Sequence, residues 1–359
     1  MKLSRRRFLR VAGTLAGSIT LPRWFTSASR LNAQPYQVVL AQATTYDRTV
    51  IHNTVFAMLD QLGGLGDVVR PGDRVAIKIN LTGGTGSMQN LPTPATSYYL
   101  THPEVVRALC EAVRDAGARE LYLVEGAWDS RSWENTGYND VARDCGAAII
   151  NLNEARPYDS FVEVPVGDGG LIYDSFQLNG ILTDIDVFMS VAKMKCHSGC
   201  GVTLSMKNLI GIVPISRYMN RPQDGRRSAL HGEGSEYRTR LPRVVVDLNR
   251  ARPIDFALID GIRTSQAGEG PWVPGFGPIT ANVLVAGKNP VAADAVATAV
   301  MGFHPEAESL ADEPFTYCEN HLQLAADAGL GSNRLQEIEI LGAALDDVRV
   351  SFQPSIALG

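Results

Sequence analysis

Residues 187–209 read Val187-Phe-Met-Ser-Val-Ala-Lys-Met-Lys-Cys-His197-Ser-Gly-Cys-Gly-Val-Thr-Leu-Ser-Met-Lys-Asn-Leu209. The run opens with a strongly apolar strand, Val187–Ala192, and turns abruptly cationic. A short apolar run of this kind is what a strand buried on both faces of a parallel sheet requires. Outward from it, strands and helices alternate. Strands are expected at 37–41, 74–79, 120–124, 148–152, 254–259, 282–286 and 337–341. Helices are expected at 50–62, 139–145, 242–250, 291–301 and 315–328. One more helix is expected after Thr101-His-Pro-Glu104, which reads as a capping box with Pro in the first turn, and Gly117 ends it. This order predicts an α/β fold: a largely parallel, mixed sheet with helices on both faces, as one compact domain or two closely associated lobes.

Polar residues gather where the strands stop: Lys78 and Asn80, Glu125, Lys193-x-Lys195-x-His197, and Asp260. In parallel sheets, ligands bind beyond the carboxyl ends of the strands, so these side chains are expected on one rim. Lys193, Lys195 and His197 alternate and share a face of an extended chain. Lys207 and Asn208 follow within one expected helical turn. So many cations among apolar residues call for an anion, a phosphate or a carboxylate, with backbone N–H groups near Gly199 and Gly201 helping to hold it. His197 is the expected acid/base group of a catalytic set with Lys195, which also helps hold the anion, and with Asp260 and Glu269, which orient the imidazole or bind a metal. Lys78, Asn80, Lys193, Lys207, Asn208 and Asp294 are the expected ligand-binding set. For Asp294, a helix N-terminal charge is the competing reason.

Cys196, His197 and Cys200 offer soft metal ligands at a spacing that fits no standard zinc module, and a Cys196–Cys200 disulfide is the other option. Cys110 and Cys145 read as small buried hydrophobes. No closely spaced cysteines suit an iron–sulfur cluster. A metal ion or an anionic organic cofactor stays open. Thr82-Gly-Gly-Thr-Gly86 reads as a loop, and residues 225–234 as a mobile loop whose Arg226, Arg227 and His231 either close over an anion or are simply solvated.

The N-terminus reads as an address. Ser4-Arg-Arg-Arg-Phe-Leu-Arg10 precedes a mild apolar stretch, Val11–Leu21, and then small and polar residues. This is the pattern of a twin-arginine signal over residues 1–33, with residues 34–359 as one domain. It makes the translocation machinery a partner and the location periplasmic or extracytoplasmic. The full chain has a formal charge of -5, but those first 33 residues carry seven cations and no carboxylate. Without them 26 basic side chains face 38 acidic ones, which argues against nucleic acid as a partner. No uninterrupted apolar run is long enough to suggest a membrane span after the signal.

Taken in order, Lys78-x-Asn80, Lys193-x-Lys-x-His197, Gly201-Val-Thr-Leu-Ser-Met-Lys-Asn-Leu209 with Gly211 and Pro214, Asp260-Gly261, Glu269-Gly-Pro271 and Asn289-Pro-Val-Ala-Ala-Asp294 resemble the domain of unknown function 362 family. The resemblance runs from about Val75 to Gly342. The family typically has Thr where Cys196 stands here. Some of its members carry ferredoxin-like segments that this chain lacks, so an iron–sulfur role does not carry over. A fainter similarity of motif style to nickel-pincer lactate racemases implies basic and His side chains around an anionic cofactor. The resulting expectation is an exported enzyme acting on, or using, a small anion. The alternatives are a periplasmic binding protein and a metal or redox carrier.

Overall fold

In the computed structural model, every one of the eleven positions of β7 (Val187–His197) is buried, as a strand at the centre of a covered sheet must be. The structure describes residues 36–81, 98–129, 131–221 and 226–356, so the signal reading and the loop at 82–86 lie outside the described residues. The other strands are β1 (Tyr36–Gln42), β2 (Arg74–Lys78), β3 (Glu120–Glu125), β4 (Ala148–Asn151), β5 (Val162–Pro165), β6 (Ser175–Leu178), β8 (Gly201–Thr203), β9 (Phe256–Gln266), β10 (Gly277–Gly287) and β11 (Ile338–Gly342). Nine of them form one sheet in the order β11-β1-β10-β9-β7-β2-β3-β4, with β8 folded back on the end of β7; β5 and β6 form a separate pair.

From β9 through β7, β2 and β3 to β4 all neighbours are parallel, whereas β10 runs against both β9 and β1. The fold is therefore α/β with a mixed, mostly parallel sheet. One face packs Val75, Ile77, Leu121, Leu123, Val187, Met189 and Val191 against the helices Arg48–Gln61 and Pro103–Asp115. Alternate residues such as Phe188, Ala257 and Ile259 are buried on the other side. The helix Pro290–Val300, buried at every position from Val291 to Val300, packs on β9 and β10.

Several local expectations change. The capping box does not form: the His102 side chain caps the helix by accepting the Glu104 N–H, while buried Thr101 donates to the Val191 carbonyl. The helix expected at 242–250 starts earlier, as Tyr237–Ala251, with Pro242 inside it. Pro242 has no N–H for the carbonyl four residues back, and that carbonyl, on Arg238, instead accepts the Glu319 N–H at 2.9 Å. The last long helix shortens to His321–Asp327, because Asn320 accepts from the N–H groups of Leu322 and Gln323 and so fixes its start. Asn282 takes a left-handed φ of 54° where the β9–β10 register shifts, a conformation Asn tolerates.

Candidate functional site

The neighbouring parallel strands β9, β7, β2 and β3 do bring Asp260, Lys193, Lys78 and Glu125 to the same end of the sheet. They do not form one site. Lys78 is in register with Ser190, and Lys193 with Asp260. Ser190 and Lys193 are three residues apart on one strand, so the two lysines emerge on opposite faces.

On the first face, fully buried Lys78 pairs with Glu125 at 2.8 Å and donates to the carbonyl of Ile79 and to Asn208 Oδ1. Burial pulls its pKa down to about 8, against the pull of Glu125. The second Glu125 oxygen accepts the Leu81 N–H. Asn208 ties the cluster together: its oxygen also accepts from Asn80, and its amide donates to the Lys78 carbonyl and to Ser190. Gly211 lies so close that an added Cβ would collide with both Glu125 and Lys78.

On the second face, Lys193 pairs with Asp260 at 2.7 Å, and both are fully buried. Lys193 donates in addition to Tyr46 Oη and to the Arg263 carbonyl. Asp260 accepts from Tyr46 Oη at 2.8 Å, His102 N–H at 3.0 Å and Ile262 N–H at 3.2 Å. Tyr46 and His102 stack at 3.8 Å. Two of the expected ligand lysines are thus neutralised inside the protein.

The third cluster is different. Buried Lys195 donates to the Tyr99 carbonyl and sits over the Tyr99 ring. Lys207 opens a 3-10 turn, Lys207–Ile212, and among the described residues it has no hydrogen bond and no ion pair. It keeps some exposure, and partial burial lowers its pKa against the pull of Cys200 and Glu269. Its charge is felt by Lys78, Lys195, His197, His231 and His321, so it stands at the centre of the group. Glu269 faces it, but that carboxylate already accepts from Ser198 N–H, Ser198 Oγ and Trp272 Nε1.

His197 is buried and held well below the usual imidazole range, first by burial and then by Lys207. Its Nδ1 accepts the Gly199 N–H at 3.0 Å. A neutral ring with Nδ1 accepting carries its proton on Nε2, so His197 presents an N–H donor. The Gly199 N–H is therefore given to His197 and not to an anion, and His197 presents the proton-bearing side of the expected acid/base group.

Asp294 does not join the lysines. It accepts from Ser205 N–H, Ser205 Oγ and Met206 N–H, and burial raises its pKa to about 7. It clamps the backbone that leads into Lys207. Neither is the segment before Tyr237 a free loop: Arg227 is buried and donates to the carbonyls of Val213 and Gly126 and to Asn153.

The soft-ligand set is not brought to one point. Cys196 alternates away from His197 and donates to the Gln353 carbonyl, and burial pushes both Cys196 and Cys200 up to about 12. The optional Cys196–Cys200 disulfide is not formed, and all five cysteines are free thiols. Among the described residues, no group of three or more His, Cys, Asp or Glu side chains is placed to hold a metal. Tyr46, His102, Tyr237 and His321 went unread in the sequence. Tyr46 follows strand β1 closely, so the strand-end rule reaches it; nothing local flags the others.

Residues 75–299 match the model of a family described as Domain of unknown function (DUF362). A thylakoid-associated protein of Synechocystis sp. is 28% identical over 274 residues, which cover 75% of either chain. Among solved structures, the lactate racemase apoprotein of Thermoanaerobacterium thermosaccharolyticum shows 14% identity and a TM-score of 0.36, over 62% of this chain and 50% of that one. A Thermotoga maritima protein shows 12% identity and a TM-score of 0.35, over 64% of this chain and 54% of that one. The chain thus spans about half the length of these solved structures.

Proposed function

The chain belongs to the DUF362 family, and we propose that it is an enzyme acting on a small anion, a phosphate or carboxylate, held by Lys207 beside Lys195 and the Nε2–H of His197. One contrast carries this reading. Lys78 and Lys193 each have a buried carboxylate as partner. Lys207 has none among the described residues, although it stands among Lys195, Arg227 and three imidazoles. An amine drawn partly out of water with no carboxylate in contact is costly, and an anionic ligand removes the cost.

The parts then have distinct duties. Lys207 supplies the opposite charge, and a bound anion raises the pKa that burial lowers. The Nε2–H of His197 donates to a ligand oxygen and stabilises charge that develops there. Glu269 holds Ser198, and Asp294 holds Ser205 and Met206, so both ends of the Gly-containing turn are fixed. The Lys193–Asp260 and Lys78–Glu125 networks anchor the strands beneath. Export through the twin-arginine machinery to a periplasmic or extracytoplasmic site belongs to the same proposal and rests on Arg5, Arg6, Phe8 and Leu9.

A thermal-shift series with phosphate, oxalate, lactate and pyruvate tests the anion site. The parent should gain melting temperature with at least one of them, and Lys207→Met should lose that gain. Lys288→Met is the control. Lys288 pairs with Asp67 near the opposite end of the sheet, where Gly287 registers with Ala257 at the start of β9. A parent that responds to no anion would refute the reading.

A further inference from the structure

Far from the lysines, Cys110 sits in the hydrophobic core and Cys145 packs against that core at its edge. Cys110 lies mid-way along the helix Pro103–Asp115, and Cys145 ends the helix Tyr138–Cys145 that packs against it. The placement is held from both sides. Three residues before Cys110, Arg107 donates to Asp144 at 2.7 Å. Four residues after it, Arg114 donates to the Cys145 carbonyl at 3.0 Å and to the Gly146 carbonyl. These contacts clamp the end of one helix over the middle of the other, and they bracket Cys110 on the face that meets Cys145. Cys110 is fully buried, whereas Cys145 is partly exposed.

We propose that Cys110 and Cys145 form a redox-controlled pair, with Cys145 the attacking thiol and Cys110 the resolving one, and that oxidation staples the two helices. Cys145 is the better nucleophile, because it is partly exposed and its pKa is lowered beside Cys110 and Arg107, whereas Cys110 is fully buried and its pKa is raised. With a low-molecular-weight disulfide as oxidant, the Cys145 thiolate attacks one sulfur and expels the other as a thiolate. Cys110 then gives up its proton and attacks Cys145 Sγ, which expels the second thiolate. Two protein thiols are oxidised by two electrons, and one small disulfide is reduced to two thiols. The stapled helix begins at the His102 cap, whose N–H supports Asp260. The inference is independent of the anion site.

The test is incubation of the folded full chain with oxidised glutathione, followed by intact mass and peptide mapping. The expected product is about 2 Da lighter than the reduced protein, yields a Cys110–Cys145 cross-linked peptide, and melts about 3–6 °C higher. Dithiothreitol should reverse all three changes. Cys145→Ser should abolish the mass loss, whereas Cys318→Ser should keep it. A stable glutathione adduct on Cys145, a cross-link between other cysteines, or a parent that stays fully reduced would each overturn the proposal.

Discussion

Asp260→Asn removes one charge from a buried cluster whose every donor is known. Asp260 accepts from Lys193 Nζ at 2.7 Å, Tyr46 Oη at 2.8 Å, His102 N–H at 3.0 Å and Ile262 N–H at 3.2 Å. An asparagine has the same shape and keeps one accepting oxygen, which can serve Tyr46 and Ile262. Its amide nitrogen then faces the Lys193 ammonium and the His102 N–H, donor against donor. Lys193 retains only Tyr46 and the Arg263 carbonyl as partners. Breaking a buried pair from one side costs about 3–5 kcal/mol, and Lys193 limits the loss by giving up its proton. Urea denaturation at pH 7 followed by tryptophan fluorescence should therefore show a loss of about 3–4 kcal/mol. Lys193→Met combined with Asp260→Asn leaves neither charge behind. The double variant should be more stable than the sum of the single losses by about 2–3 kcal/mol. An Asp260→Asn protein within about 1 kcal/mol of the parent would refute the buried-pair account.

Three further outcomes follow from the same structure. His102 and His231 are held at about 4 and His321 at about 3, chiefly by burial, and His197 is also lowered. The unfolded chain protonates these rings near pH 6.5 and the folded one only at lower pH, so their stability is present above about pH 6.5 and lost as the pH falls towards 4. Asp294, raised to about 7, acts the opposite way over about pH 4–7, and four groups outweigh one; His321→Phe should flatten the profile measured by thermal melts. Gly211→Ala should destabilise by about 1–3 kcal/mol in urea titrations, because its Cβ meets the Lys78–Glu125 pair. Replacing Arg5 and Arg6 with Lys should leave the melting temperature unchanged and block export; cell fractionation with normal arrival outside the cytoplasm would end the export reading.

The fold was legible because buried parallel strands are apolar runs that end in conspicuous polar residues. Lys78, Glu125, Lys193 and Asp260 all stood out for this reason, and sheet order brings them to one end. Their pairing was not legible. Lys78 and Glu125 come from different strands, and only the register shows that Lys78 and Lys193 leave the sheet on opposite faces. Local signals failed where tertiary partners took over. Thr101 donates to β7 instead of capping its helix, and the Glu319 N–H satisfies the carbonyl that lets Pro242 sit inside a helix. The short pair β5–β6 has no apolar run to announce it, and its exposed residues are Glu163, Pro165 and Gln177. The nearness of Cys110 and Cys145 depends on how two helices cross, which their separate sequences do not encode.

The central claim is that Lys207 holds an anion. Calorimetric titration of phosphate and of oxalate into the parent, Lys207→Met and Lys288→Met at pH 7 tests it most directly. A charge-assisted contact of roughly 1.5–3 kcal/mol corresponds to a loss of about 10–150-fold in affinity for Lys207→Met, with Lys288→Met binding like the parent. Equal affinity in the parent and Lys207→Met would contradict the account.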